Sequence, residues 1–127
     1  MILIDTSVWI EFFRRNGDYP ARISSLLEIQ QVVAFEPVFA ELLYGARSRK
    51  DRDIITSFWE LLPRVDFGSG SLMKAAEMAG REEFLQSAIG LVDALIIQAT
   101  LDGNYRLWTL DKRLAGRLQQ KNLYSWK

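Results

Sequence analysis

Met1-Ile2-Leu3-Ile4-Asp5-Thr6-Ser7-Val8-Trp9-Ile10-Glu11-Phe12-Phe13 opens the chain and decides its fold class. A short, continuous apolar run closed by a carboxylate suits a buried parallel strand better than the alternating pattern of a half-exposed one. Thr6 and Ser7, both good N-cap residues, then lead into a helix that reaches Arg14-Arg15-Asn16 and can stop at Gly17. Strand, turn and helix follow one another without a break.

The rest of the chain repeats the alternation. Ile23, Leu26, Leu27 and Ile29 recur at near-helical spacing, and a strand is expected over Val32 to Phe35. Pro37 sits where a first helical turn tolerates it, and the helix it opens ends at Gly45. A helix over residues 49–62 is closed by Pro63, and Arg64 to Phe67 reads as a strand. Gly68-Ser69-Gly70-Ser71 forms a turn with an N-cap before a long helix from about Leu72 to Ala88. A largely apolar helix follows from about Val92 to Leu101, then a strand over Tyr105 to Thr109, a helix over Lys112 to Gln120 and a strand over Leu123 to Trp126. The pattern predicts an α/β domain with a mainly parallel central sheet of four to five strands.

Composition bounds the chemistry. The 127 residues suit one domain, 1–127, able to bury roughly two thirds of its unfolded surface. Cysteine and histidine are both absent. No disulfide, thiolate nucleophile, imidazole base or Cys/His-anchored metal is then available, and catalysis has to run on carboxylates, hydroxyls, Lys, Arg or a hard metal. The N-terminus lacks a secretory pattern and no apolar run is long enough to span a bilayer, so a soluble, cytoplasmic protein without a membrane partner is expected. Lys and Arg number 16, as do Asp and Glu, so attraction to a nucleic acid would need a local basic patch.

Three carboxylates stand in apolar company. Asp5 ends Ile-Leu-Ile-Asp, Glu41 lies in Val-Phe-Ala-Glu-Leu-Leu, and Asp93 lies in Gly-Leu-Val-Asp-Ala-Leu-Ile-Ile. None has a basic residue three or four positions away. Buried and unpaired, such a group costs several kcal/mol, so it is expected to be protonated, paired from elsewhere or bound to a cation. Asp111, after Leu107-Trp108-Thr109-Leu110, is a fourth candidate. Each has a plainer reading: Asp5, Asp93 and Asp111 as helix caps, and Glu41 as partner of a distant Arg.

Together they suggest more. Ligand crevices of parallel α/β sheets lie beyond the carboxyl ends of the strands, where these four acids could converge. Two carboxylates about 4.5 Å apart repel by roughly 4 kcal/mol at an effective dielectric near 20, a cost that a divalent cation removes. Oxygen-only ligands favour Mg²⁺ or Mn²⁺, in keeping with the missing Cys and His.

Ile4-Asp5-Thr6-Ser7-Val8-Trp9-Ile10, Glu41-Leu42-Leu43-Tyr44-Gly45, Val92-Asp93-Ala94-Leu95-Ile96 and Leu107-Trp108-Thr109-Leu110-Asp111 resemble, in order, the motifs of PIN-domain ribonucleases. More narrowly, they resemble the VapC-type toxins of prokaryotic toxin–antitoxin pairs. The resemblance runs the length of the chain and implies a three-layer α/β/α domain. It implies that Asp5, Glu41, Asp93 and Asp111 form an acidic metal site, with hydroxyls nearby from Thr6 or Ser7 and from Thr109. Leu114 departs from the pattern, standing where the family often has an aromatic a few residues after the fourth acid.

The reaction implied is hydrolysis of an RNA phosphodiester assisted by Mg²⁺ or Mn²⁺, leaving a 5′-phosphate and a 3′-hydroxyl. An acidic pocket repels a polyanion, so basic residues are expected around its rim: Arg14-Arg15, then Arg47, Arg49, Lys50 and Arg52, and Lys112-Arg113 with Arg117. Each of these can equally be solvated helix surface. Trp9, Phe12, Phe13, Trp59 and Phe84 are expected in the core, although aromatics also serve interfaces. The resemblance implies a homodimer and a small antitoxin. Rival readings are a PIN nuclease in RNA processing without an antitoxin, a PIN-like module that binds without catalysis, and an aspartyl-phosphate phosphatase or receiver domain. The last lacks its second acid, because Ser7 stands two residues after Asp5.

Overall fold

The computed structural model describes residues 1–81 and 89–126. In chain order they form β1 (Ile2–Ile4), α1 (Thr6–Phe13), α2 (Tyr19–Glu28), β2 (Val32–Val33), α3 (Glu36–Gly45), α4 (Arg49–Leu61), α5 (Ser71–Ala79), α6 (Leu91–Asp102), β3 (Arg106–Trp108), α7 (Lys112–Ala115) and a 3₁₀ turn at Gln120–Asn122. The expected extension of the helix after Leu72 toward Ala88, and Phe84 with it, lies outside the described residues.

β1 is the middle strand, paired in parallel with β2 on one side and β3 on the other. All three of its residues are buried, as they must be in a strand covered on both faces. The opening run was therefore rightly read as a core strand. The sheet is narrower than four to five strands. Residues 64–67 and 123–126 each meet it at one parallel bridge, Ala34 to Arg64 and Leu107 to Leu123. At the first edge Pro63 brings no N–H and only accepts, from the Ala34 amide at 2.8 Å, before Val65 returns one bond to the Ala34 carbonyl. Phe67 then packs edge-on against Phe35 and the chain turns at Gly68. At the other edge one amide, that of Tyr124, bonds to the Leu107 carbonyl.

Helix ends differ from expectation in ways that matter at the site. Thr6 and Ser7 are the first residues of α1, not its cap; Asp5 holds that place, and its carbonyl accepts the amides of Val8 and Trp9. The helix ends at Phe13, before Gly17. Gly70, at φ 89°, caps α5 in place of Ser71; a side chain there would be strained. The last helix closes after one turn at Ala115 instead of reaching Gln120.

The buried side chains form one cluster. Trp9 is wholly buried at the centre of an aromatic group with Phe12, Phe13, Phe39 and Phe58, ring centroids 5.5 to 5.8 Å apart. Trp59 packs on Phe39. This group ties α1 to α3 and α4 and fixes the start of α1, where the site lies.

Candidate metal centre and its hydrogen-bonded frame

The register Ile4 to Trp108 sets the site. One residue further, the Asp5 amide bonds to the Trp108 carbonyl at 2.9 Å, so Asp5 is held at the height of Thr109 as both strands end. Asp5 is only 7% exposed. Its side chain does not cap α1. Instead Oδ2 accepts the hydroxyl of Ser7 at 2.9 Å and that of Thr109 at 2.7 Å. Each hydroxyl has one proton to donate and lone pairs to spare. Ser7 Oγ accepts the Leu110 amide at 3.1 Å, and Thr109 Oγ1 accepts the Asp111 amide at 3.0 Å. The loop after β3 is thereby sewn to the start of α1, with the Asp5 carboxylate at the seam.

Asp111 serves its own helix. Its Oδ1 accepts the amides of Arg113 and Leu114 at 2.9 and 3.3 Å, and the Arg113 guanidinium stands 4.0 Å from the same oxygen. The capping reading of this residue is correct for that oxygen. Asp93 lies in the first turn of α6, two residues inside it, so it is not the helix cap. Its pKa is raised above the usual carboxylate range, first by burial and then by the negative charges of Asp111 and Asp5, with Arg113 acting the other way. Asp5, Asp93 and Asp111 thus share one electrostatic neighbourhood. Glu41, exposed on α3, joins through Thr6, whose hydroxyl donates to its Oε1 at 3.0 Å.

The donor set fits a hard divalent ion in kind. It consists of carboxylate and hydroxyl oxygens, and like charge pushes up Asp93 where a cation would relieve it. Convergence is incomplete. Among the described residues no three acidic side chains stand close enough to hold one ion.

The expected basic rim is exposed except at Arg117, which is half-buried: Arg14 and Arg15 lie just beyond α1, Arg47 before α4, Arg49, Lys50 and Arg52 in its first turn, and Lys112 and Arg113 in α7. Arg113 belongs to the acidic neighbourhood itself. Sequence reading did not pick out Asp51 or the wall it shares with Ile54, Phe13 and Leu42 beside Glu41. One signal was available: Ile54 and Ile55 are adjacent on a helix and point about 100° apart, so the two need not share the same burial. Ile55 is buried and Ile54 is 37% exposed.

A family model described as the PIN domain matches residues 2–117, which include all four acids. The chain belongs to the PIN-domain family. This PIN domain is 36% identical over 115 residues to Ribonuclease VapC32 of Mycobacterium tuberculosis, a match covering 90% of the chain and 87% of that relative. It is 33% identical to VapC ribonuclease Mb1587 of Mycobacterium bovis over 63% of the chain and 67% of that protein. VapBC2 from Rickettsia felis, solved bound to a DNA fragment from the promoter, shares the fold with a TM-score of 0.76 at 21% identity, covering 100% of both chains. FitAcB from Neisseria gonorrhoeae does so at 0.61 and 19%, over 90% of each. No described helix is long and apolar enough to cross a membrane.

Proposed function

We propose that this PIN domain is an endoribonuclease dependent on Mg²⁺ or Mn²⁺, and that it acts in the cytoplasm as the toxin of a toxin–antitoxin pair. The observation that carries the reading is the seam around Asp5: a buried carboxylate held by two hydroxyls, in the same negative neighbourhood as Asp93 and Asp111. The identity to Ribonuclease VapC32 supports the choice of reaction, and the shared fold with VapBC2 is in keeping with it.

Asp5, Glu41, Asp93 and Asp111 would hold the ion once their side chains turn toward it, since no three of them converge in the metal-free chain. When bound, the ion lowers the pKa of a water molecule and offsets charge on the transferring phosphoryl group. Thr109 and Ser7 fix Asp5 Oδ2 in place, so the carboxylate needs no reorganisation as charge develops. Thr6 orients Glu41 in the same way. Burial and the charges of Asp111 and Asp5 raise the pKa of Asp93 in the metal-free chain, a repulsion that a bound cation would relieve. Arg14, Arg15, Arg47, Arg49, Lys50, Lys112 and Arg113 would hold the RNA backbone, a contact that weakens with salt and carries little sequence information. A small antitoxin and a second copy of the chain are the proposed protein partners, with residues 1–127 acting as a single domain.

The test is cleavage of RNA by metal-stripped protein before and after addition of Mg²⁺ or Mn²⁺, with Asp5→Asn and Asp93→Asn beside the wild type. Cleavage is expected only with metal and only from the wild type. Metal-independent cleavage, or equal cleavage by all three proteins, would sink the proposal.

A further inference from the structure

A cavity of about 520 Å³ opens between α1, α3 and α4, and Thr6 and Glu41, the hydrogen-bonded pair next to Asp5, form part of its wall. Phe13, Leu42 and Ile54 give it an apolar lining, and Arg14, Arg47 and Asp51 bring charge to it. Among the described residues none of these three charged side chains takes part in an ion pair. Two unpaired cations and the carboxylates of Asp51 and Glu41 thus surround an apolar space that shares a wall with the candidate metal site.

We infer that this cavity is a subsite for one unstacked base of the RNA, and that Asp51 selects guanine. The inference rests on the nuclease reading above and adds the specificity of the same site. A base has apolar faces and a polar edge, and single-stranded RNA is read by splaying bases onto aromatic side chains and bonding their edges. Phe13 and Ile54 offer the faces a surface. A carboxylate accepts hydrogen bonds and donates none. Guanine alone presents two donors side by side on its Watson–Crick edge, the ring N1–H and the exocyclic amino group. Adenine and cytosine set a ring acceptor beside their amino group, and uracil sets carbonyls on either side of its one N–H. Each of those acceptors would face the carboxylate and be repelled. Arg14 and Arg47 supply the planar donors that phosphates take well, one for each side of the inserted nucleotide.

Binding of GMP, AMP, CMP and UMP to the wild-type chain, measured by titration calorimetry in metal-free buffer, tests the inference apart from cleavage. GMP is expected to bind at least tenfold more tightly than the other three. Asp51→Asn, on an exposed turn and checked for folding by circular dichroism, should lose that preference; Ile54→Trp, which fills the cavity, should weaken all four. Equal binding of the four nucleotides, a GMP preference untouched by Asp51→Asn, or no binding at millimolar concentration overturns the inference. RNA cleavage without GMP selectivity would leave the nuclease standing and remove the subsite. GMP selectivity in a protein that cleaves no RNA would do the reverse.

Discussion

The Thr109 hydroxyl donates a 2.7 Å hydrogen bond to Oδ2 of Asp5 across 104 residues of chain. Thr109 Oγ1 in turn accepts the Asp111 amide, so Thr109 couples two of the candidate metal acids through one atom. A hydrogen bond to a charged group contributes about 1.5 to 3 kcal/mol. Thr109→Val keeps the shape and loses the bond. It is expected to cost about 2 kcal/mol in urea unfolding and to slow RNA cleavage, whereas Thr109→Ser should restore both. Equal behaviour of the Val and Ser variants would show that the hydroxyl does not position Asp5.

Asp111 has an observed duty as a helix cap and a proposed one as a metal ligand, and substitution can separate them. Its Oδ1 caps α7, and loss of such a cap costs about 0.5 to 2 kcal/mol. Asp111→Asn keeps an acceptor for the Arg113 and Leu114 amides but removes the charge. Stability is expected to change by less than about 0.5 kcal/mol while metal-dependent cleavage falls; Asp111→Ala should lose both. If Asp111→Asn cleaves RNA as the wild type does, Asp111 is a cap only.

Asp93 makes stability depend on pH in a defined direction. Burial and the charges of Asp111 and Asp5 raise its pKa in the folded chain, so the folded state holds the proton more tightly than the unfolded one. The stabilisation from that proton is fully present below the unfolded carboxylate value, about 3.9, and is lost as pH rises through the folded value. Asp93→Asn should therefore raise the Tm at pH 7 in metal-free buffer and leave it nearly unchanged near pH 3.5. Added Mg²⁺ should stabilise the wild type more at pH 7 than at pH 5, and Asp93→Asn should blunt that gain. Thermal unfolding across this range checks all three expectations.

Gln98 is 8% exposed on α6, and its Oε1 has no hydrogen-bond partner. An unsatisfied buried polar atom costs about 1 to 3 kcal/mol. Gln98→Met keeps the length of the side chain and removes the polar atom, so it is expected to raise stability by about 1 kcal/mol. A loss of stability in the same measurement would mean that the amide is paired in solution, by water or by the chain.

The fold was legible where a signal was local. Ile2 to Ile4 announced a core strand by being apolar without alternation, and α6 runs from Leu91 to Asp102, within one residue at each end of the helix the sequence placed there. The edges of the sheet were not legible. Residues 64–67 and 123–126 have strand-like composition, but whether a segment pairs along its length depends on its neighbours. One pairs at Ala34 after a proline that cannot donate, and the other meets β3 at a single residue. Helix starts failed for a related reason. Thr6 and Ser7 have the chemistry of caps, yet Thr6 bonds to Glu41, and Ser7 to Asp5 and the Leu110 amide.

Sequence by itself determined the chemistry open to this protein: with no Cys and no His, the acids in apolar company leave oxygen as the only ligand atom for a metal. It also determined the fold class and the family, because apolar runs, caps and short motifs are properties of neighbouring residues. Only the tertiary structure decided which hydroxyl meets which acid. Thr109 reaches Asp5 because β1 and β3 are adjacent and parallel in a register set by Ile4 and Trp108, a pairing between distant segments. The division of Asp111 between cap and site, the like charge that raises Asp93, and the cavity beside Glu41 arise likewise from elements far apart in sequence. Packing energy, not local preference, fixes their distances.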